Sequence, residues 1–300
     1  MKSVPSQLES DLRRAVRLEW WTIAWQLSIV GLLALVLGSS QAMKTAWIED
    51  LLGLVPAFVF LTAIHFERKT PNAKFPFGYD RVNSLAFLVS ASTLVIMGGY
   101  LLFDSAGKLL AGEHPTLGPV TLLGQQVWIG WLMAAALAYS VVPPLILGRK
   151  KLPIARRLSD KVLHTDALMQ KADWMTGLAG VCGVFGVGFG FWWADSAAAM
   201  VIAFDIVRDG LRSLRIATAE LTDGAPRALD SDEIAEDAAT LRDALARRYP
   251  EGEVRLRETG RYIRADIHGA TAPPAEPDLA ALWPGDPERA WRFESLSFTP

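Results

Sequence analysis

The stretch HTDALMQKADWMTG, residues 164–177, places two aspartates inside a long apolar segment of the chain. Asp166 and Asp173 are seven positions apart, and the sequence beyond them is largely apolar or small as far as Phe189. About 20 apolar residues form a helix that spans a lipid bilayer. A carboxylate inside such a span is costly and is a functional hypothesis by default. The first question is therefore what these two aspartates hold.

Composition divides the chain into an apolar part and a charged part. Hydrophobic residues make up 51% of the 300 residues, and nearly all the long apolar runs lie between positions 20 and 215. Six of these runs are about long enough to cross a bilayer as helices, and we predict six transmembrane spans. Their approximate bounds are 20–37, 47–66, 85–110, 122–147, 162–189 and 192–214.

Basic residues are distributed unevenly among the connecting segments. They concentrate in HFERKTPNAKFPFGYDR, between spans two and three, and in GRKKLPIARRLSDK, between spans four and five. The positive-inside rule places these two segments, and with them both termini, in the cytoplasm. An even number of spans agrees with that orientation, and we expect a multi-pass protein of the inner (plasma) membrane.

The sequence after the last span has the pattern of a charged, soluble domain. DSDEIAEDAATLRDALARRY predicts an amphipathic helix, GEVRLRETGRYIRADIHG two strands around a Thr-Gly turn, and AWRFESLSF a final strand. The fold class is therefore an α-helical membrane protein with a small α+β cytoplasmic domain. We divide it into a cytoplasmic N-terminal segment (1–19), a six-helix transmembrane domain (20–215) and a cytoplasmic C-terminal domain (216–300).

Span five presents polar groups on one helical face. Residues at positions i, i+3, i+4 and i+7 of a helix share a face. The repeated glycines of this span, beginning with Gly177, predict close packing against neighbouring helices. Such a span belongs inside the bundle, away from lipid. The four positions on its polar face are Asp166, Met169, Gln170 and Asp173.

Span two offers a second pair of acids. In AWIEDLLGLVP, Glu49 and Asp50 lie about one turn inside the predicted span. Two close-packed helices with carboxylates at similar depth suit a bound cation, because without one the like charges would force protonation or water entry. In the alternative interpretation, Glu49 and Asp50 are solvated at the membrane surface and Asp166 flanks the start of span five.

Several function classes find no support in the sequence. The formal net charge is −2, so the chain lacks the excess of basic residues that is typical of nucleic-acid-binding proteins. The single cysteine excludes a disulfide framework within one chain. The four histidines fall in different regions of the sequence. The sequence offers no pair of a nucleophile and a base, so nothing in it indicates an enzyme.

Three motifs carry a resemblance to a known family. SQAMKTAWIEDLLG at 40–53, FPFGYDRVNSLAFL at 75–88 and TDALMQKADWMTG at 165–177 follow one another in the order and spacing of its spans two, three and five. The chain resembles the cation diffusion facilitator family of divalent-metal transporters. The resemblance implies export of Zn²⁺, Mn²⁺, Fe²⁺, Co²⁺ or a similar ion from the cytoplasm, commonly against protons, by a homodimer. The metal ion is then the substrate.

The resemblance also assigns ligand positions. In span two, the family's first ligand position falls on Glu49 and its second on Gly53. In span five, its histidine position falls on Met169 and its second ligand on Asp173. Carboxylates suit Mn²⁺ and other hard ions, whereas a Met169 thioether would favour softer ones, and ordinary packing is the alternative for Met169. The candidate metal ligands are Asp173, Glu49, Asp50, Asp166 and Met169, with Asp50 and Asp166 in place of the missing family ligands.

A charge pair at the dimer contact is also implied by the resemblance. The family pairs a basic residue at the start of span three with an acid just after span six, and Arg81 and Asp223 match these positions. The alternative is that Arg81 reflects the positive-inside rule and Asp223 a helix end. We expect the C-terminal domain to dimerise, with little or no metal of its own.

Three functional hypotheses follow. In the first, metal displaces protons from the carboxylates on the cytoplasmic side, and protons from the other side expel the metal. The second is a non-transporting membrane scaffold or metal sensor that keeps the fold but has lost part of the site. The third is a carrier of organic cations, which would require an aromatic cage such as Trp47 and Trp174 could offer.

Overall fold

The computed structural model of the protein describes residues 6–36, 50–112, 119–122 and 125–300. Residues 50–53 are helical and lead, after a turn at Leu54, into α2. Six long helices form the N-terminal part of these ranges. They are α1 (Ser6–Val36), α2 (Val55–Glu67), α3 (Arg81–Ala111), α4 (Ile129–Leu158), α5 (Lys161–Gly188) and α6 (Ala194–Leu221).

Two helical segments of the described chain are long and apolar enough to cross a bilayer by length and composition alone. They are Asp50–Glu67 and Arg81–Ala111, which correspond to predicted spans two and three. Helices α1, α4, α5 and α6 overlap the other four predicted spans. That these four also cross the membrane stays a prediction.

The start predicted for the fourth span was wrong. Span four was expected to begin at Leu122, but Pro119–Leu122 (β1) and Gln125–Trp128 (β2) pair as antiparallel strands. Helix α4 begins only at Ile129 and continues to Leu158, beyond the predicted end at 147. The segment is apolar but rich in β-branched and glutamine residues, and a short apolar run does not by itself distinguish a strand from a helix.

Glycines allow the helices to approach one another closely. A Cβ atom on Gly98 of α3 would lie 2.7 Å from Cγ2 of Ile206 in α6. A Cβ atom on Gly177 of α5 would lie 2.5 Å from Cγ2 of Val141 in α4. Real Cβ atoms do not come so close, so only glycine fits at these contacts. The close packing expected of span five is therefore present at Gly177.

The C-terminal part is a small sheet with one main helix packed on it. Strand β4 pairs antiparallel with β3 and parallel with β5, so the sheet order is β3-β4-β5. Leu241 and Leu245 of the helix pack with Ile263 and Phe293 of the strands. The predicted helix, hairpin and final strand are thus present. Their bounds are α7 (Glu236–Arg248), β3 (Glu253–Thr259), β4 (Tyr262–His268), the short α8 (Leu279–Leu282), a 3₁₀ turn (Pro287–Arg292) and β5 (Phe293–Thr299).

The β3–β4 turn docks against the helix ends. The Gly260 amide donates a hydrogen bond to Oγ of Ser84 in α3 at 3.0 Å. Gly260 has a φ of +62°, and a Cβ atom on it would lie 2.7 Å from the carbonyl oxygen of Asp80. Only a glycine satisfies both the left-handed backbone and the close approach.

Buried ion pairs surround this turn. Arg261 is 6% exposed by its side chain and contacts Glu67 at the end of α2 and Asp160 at the start of α5. Lys161 contacts Glu220 at the end of α6, at 3.0 Å, and Glu258 of β3. Burial disfavours the charged forms, but the neighbouring carboxylates outweigh it, so the pKa values of both Arg261 and Lys161 lie above their ordinary values. The hairpin therefore connects the ends of α2, α5 and α6.

Gly260→Ala is expected to weaken docking of the hairpin. A left-handed φ costs about 1–2 kcal/mol for a residue with a Cβ atom, and the clash with Asp80 adds to that cost. Gly269→Ala is the matched control, because Gly269 has a φ of +85° but its nearest neighbour atom is 3.9 Å from the Cβ position. Thermal unfolding and amide exchange of β3–β4 in the full chain measure both. Equal losses in the two variants would contradict the docking contact.

Candidate metal-binding site

Asp50 is held by a polar residue of the first helix. Nε2 of Gln26 donates to Oδ1 of Asp50 at 3.0 Å and to its carbonyl oxygen at 3.2 Å. Gln26 is buried, and Asp50 is half-buried. A Cβ atom on Gly53 would lie 3.3 Å from the same Nε2 atom, so Gln26 fits closely against the turn that carries Asp50. This amide fixes the orientation of the Asp50 carboxylate.

Gln26 was missed at the sequence level. It is the one amide side chain in the run WWTIAWQLSIV of span one, and an amide in a span was the available signal. A polar side chain in a span finds a partner within the bundle. Which helix supplies the partner depends on how the helices pack.

Asp173 is half-buried on α5, between two positions that meet α4. Three positions before it, Gln170 meets Gly148 of α4, where a Cβ atom would be 3.0 Å from Cβ of Gln170. Four positions after it, Gly177 meets Val141 of α4. The spacing of 170, 173 and 177 is that of one helical face.

Asp50 lies in the helical segment Asp50–Glu67, which contains α2, and Asp173 lies in α5. Helix α2 contacts α5, and α1 contacts both α2 and α4. The four helices α1, α2, α4 and α5 therefore form one group, with Gln26, Asp50 and Asp173 on its members. Glu49, the neighbouring candidate ligand, lies outside the described residues. Within the described ranges, no group of three His, Cys, Asp or Glu side chains lies close enough to hold a metal ion.

Asp166 has a different partner from the one expected. Nζ of Lys151 contacts a carboxylate oxygen of Asp166 and also Oε2 of Glu19, the latter at 2.9 Å. All three side chains are fully buried, and they join α1, α4 and α5. Lys151 therefore balances the charge of Asp166 in this structure, and the role of Asp166 as a metal ligand stays a prediction.

Lys151 was itself misjudged from the sequence. It was counted as part of a cytoplasmic connecting segment, but it lies inside α4 and is fully buried. One lysine thus forms ion pairs with two carboxylates, Glu19 and Asp166, in a site closed to solvent.

Met169 also points away from the expected site. It is fully buried in an apolar cluster with Leu94 and Met97 of α3 and Ala203 and Ile206 of α6. The alternative of ordinary packing describes this contact, and a ligand role for its thioether stays a prediction. Met169 thus faces α3 and α6, although it lies only three positions from Asp166 on the same helix.

A second charge contact joins α5 and α6, within predicted spans five and six. Nζ of Lys171 lies 2.9 Å from Oδ2 of Asp205 and 3.5 Å from Oδ2 of Asp209. Asp205 had no role at the sequence level, and Lys171 was not singled out. The signal was available, because a lysine and an aspartate both within predicted spans are expected to pair.

Arg81 and Asp223 contact each other within one chain. Nη2 of Arg81 lies 2.5 Å from Oδ1 of Asp223, and Nη1 of Arg257 in β3 lies 3.3 Å from the same oxygen. Both members of the Arg81–Asp223 pair are about half exposed. The predicted proximity of the two residues is present, and their part in a dimer contact stays a prediction.

Lys151→Met is expected to destabilise the bundle strongly. It leaves Glu19 and Asp166 buried beside each other without a cation, and breaking a buried pair in this way costs about 3–5 kcal/mol. Asp166→Asn keeps the Lys151–Glu19 pair and should cost less. Lys150→Met, at the exposed neighbouring position, is the control. The readout is thermal unfolding in detergent, and equal midpoints for Lys151→Met and Lys150→Met would refute the buried triad.

Comparisons with known proteins agree with this architecture. Residues 21–222 match the family model described as the cation efflux transmembrane domain. The chain is 21% identical over 198 residues to the manganese efflux system protein MneS of Bacillus subtilis, covering 66% of this chain and 64% of that protein. It is 22% identical over 221 residues to the zinc transporter ZitB of Yersinia pseudotuberculosis, covering 74% and 66%.

A third relative is matched over more of its length. The chain is 26% identical over 256 residues to a probable cation efflux system protein of Mycobacterium tuberculosis, covering 82% of this chain and 70% of that protein. The family model alone matches more than half of the chain, and the resemblance noted from the sequence motifs is confirmed. The chain belongs to the cation diffusion facilitator family of membrane proteins.

Proposed function

We propose that the protein is a secondary transporter that exports a divalent transition-metal cation from the cytoplasm. The observation that carries the proposal is the placement of Asp50 and Asp173 on two helices that pack together inside the cation efflux domain. Carboxylates within spans are costly and mark ion pathways, and a transported cation can bind to them. The names of MneS and ZitB, a manganese efflux protein and a zinc transporter, support the same substrate class.

The proposed membrane orientation places the C-terminal sheet in the cytoplasm. Six spans, with both termini on the cytoplasmic side of the plasma membrane, satisfy the positive-inside rule. The packing supports this, because Arg261 and Arg264 of the sheet contact Glu67 and Asp80 at the ends of the basic α2–α3 connection. The sheet therefore lies on the side of the bundle that carries the basic segments.

Asp173, Asp50 and Glu49 are the ligands we propose. Gln26 holds the Asp50 carboxylate, and Asp166 and Met169 have other partners. With the Met169 thioether directed into the apolar cluster, the remaining protein donors are oxygens. Oxygen donors favour Mn²⁺ and similar hard ions over soft ones. Mn²⁺ is therefore the first ion to test, with Zn²⁺ second.

Proton exchange at these carboxylates provides the coupling. A carboxylate must be deprotonated to bind a metal ion, so binding from the cytoplasm releases protons. When the site opens to the other side, protons compete with the bound ion and release it. Competition at one site is sufficient for antiport.

We also propose that the transporter works as a homodimer. The proposal follows the family, in which a charge pair at the positions of Arg81 and Asp223 supports the dimer contact. Within one chain these residues already meet beside Arg257, at a surface that is half exposed. That leaves the same charges accessible to a second copy.

A non-transporting scaffold or metal sensor is the second candidate. It is favoured by one observation: among the described residues there is no cluster of three potential metal ligands. Such a protein would bind metal weakly or only in one state and would support no flux. Transport measurements separate the two candidates.

Asp173→Asn is expected to abolish metal flux without affecting folding. In proteoliposomes with an imposed pH gradient, the unaltered protein should move Mn²⁺, and the variant should fall to the background of empty liposomes. Asp104→Asn is the control, because Asp104 is paired with Lys108 on α3. Flux retained by Asp173→Asn would remove the proposed ligand. No flux by the unaltered protein with Mn²⁺ or Zn²⁺ would favour the scaffold.

A further inference from the structure

The α2–α3 loop, residues 68–80, is well ordered by its own side chains. Oδ1 of Asn72 accepts hydrogen bonds from the amides of Lys74 and Phe75, at 2.9 and 3.0 Å, and its Nδ2 donates to the Tyr79 hydroxyl at 2.7 Å. The Tyr79 ring lies 4.8 Å from the Phe75 ring. Gly78, with a φ of +82°, supports the turn. These contacts define a single conformation of the loop.

This ordered loop exposes large apolar side chains. Phe77 is 81% exposed and Phe75 is 51% exposed. Within the described residues, every other strongly exposed large apolar side chain except Ile234 lies in a predicted span or in the short turn between spans five and six. Those side chains face lipid or lie at its boundary. Exposed apolar side chains on a rigid loop indicate that something covers them.

The charge of the loop surface has a single sign. Arg68, Lys69 and Lys74 are exposed, and no acidic residue occurs between positions 68 and 79. The acids at its two ends are turned to the sheet, since Glu67 contacts Arg261 and Asp80 contacts Arg264. Nζ of Lys69 lies 3.9 Å above the Phe66 ring, which keeps its cation close to the end of α2. Residues 68–79 of the loop therefore contain no acidic side chain that would balance these cations.

The location of the loop indicates what kind of partner lies beside it. It joins Asp50–Glu67 to Arg81–Ala111, which are the two segments of the described chain that are long and apolar enough to span a bilayer. Both ends of the loop are therefore at the membrane surface. Basic residues beside a span attract anionic lipids, and apolar side chains among them enter the headgroup region.

We propose that the α2–α3 loop is an anionic-phospholipid contact of this protein. Phe77 enters the headgroup region of the adjacent leaflet, and Arg68, Lys69 and Lys74 contact lipid phosphates. Because Glu67 and Asp80 connect the same loop to the C-terminal sheet, the lipid contact and the sheet act on the same helix ends. The contact rests on the membrane placement of the domain and not on the transport proposal.

A spin label at position 77 tests the depth of the loop directly. The label is introduced by Phe77→Cys in the full chain, in a Cys182→Ala background that removes the single native cysteine. Phe103→Cys, on the exposed face of α3, is the lipid reference, and Arg242→Cys, on α7, is the aqueous reference. In nanodiscs that contain phosphatidylglycerol, the ratio of accessibility to oxygen and to a nickel chelate at position 77 should fall between the two references.

Two outcomes would overturn the proposal. A ratio equal to that at position 242 would place Phe77 in water. Low accessibility to both reagents would mean that protein covers it, either a second copy or another part of the chain. Both references must give their expected values in the same preparation.

The requirement for anionic lipid has its own test. As the phosphatidylglycerol fraction of the nanodisc is raised, the label at position 77 should move toward the lipid reference. Lys74→Gln should raise the fraction needed for the half-maximal change by about fivefold, the effect of one surface cation near an anionic leaflet. Arg242→Gln is the charge-matched control and should not shift it. Equal insertion in purely zwitterionic lipid would contradict the phosphate contacts.

Discussion

The guanidinium of Arg261, buried between Glu67 and Asp160, is the interaction on which the arrangement of the molecule depends. Glu67 ends α2 and Asp160 precedes α5, so one cation from the C-terminal hairpin joins the two helices that carry Asp50 and Asp173. Lys161, at the first position of α5, meets Glu258 of the same hairpin. Buried carboxylates without such cations would be strongly destabilising. The sheet and the bundle therefore stabilise each other through charge.

The same principle operates inside the bundle. Lys151 balances Glu19 and Asp166 between α1, α4 and α5. Each charge of this kind is satisfied by a residue from another helix, which fixes how those helices are rotated about their axes. Asp50 is held differently, by the neutral amide of Gln26. The Gln26 amide does not itself balance the negative charge of Asp50, and in our proposal a transported cation takes that role.

Local sequence patterns predicted much of the architecture. Apolar runs indicated the six long helices, alternation indicated the C-terminal strands, and glycine spacing indicated the close contact at Gly177. Each of these signals depends on residues within one element. The β1–β2 hairpin was missed because the apolar run at 122–128 is compatible with either a helix or a strand.

The site could be predicted only in part, for a geometric reason. The sequence identifies Asp50, Asp166 and Asp173 as acids in spans, but their partners come from other helices. The Lys151–Asp166 contact depends on the rotation of α4, and the burial of Met169 depends on the rotation of α5 toward α3. Neighbouring residues of a helix point in directions about 100° apart. A small error in the assumed rotation of a helix therefore assigns as a ligand a residue that packs against another helix.

Arg261→Gln in the full chain is the most direct measurement of the central claim, that a hairpin cation holds the ends of α2 and α5. Amide exchange should increase around residues 64–67 and 160–164. The free energy of unfolding should fall by about 3–5 kcal/mol, the cost of breaking a buried ion pair. Arg255→Gln, on the exposed side of the adjacent strand, should change stability by about 1 kcal/mol or less. Equal stability and unchanged exchange in the Arg261→Gln protein would contradict the account.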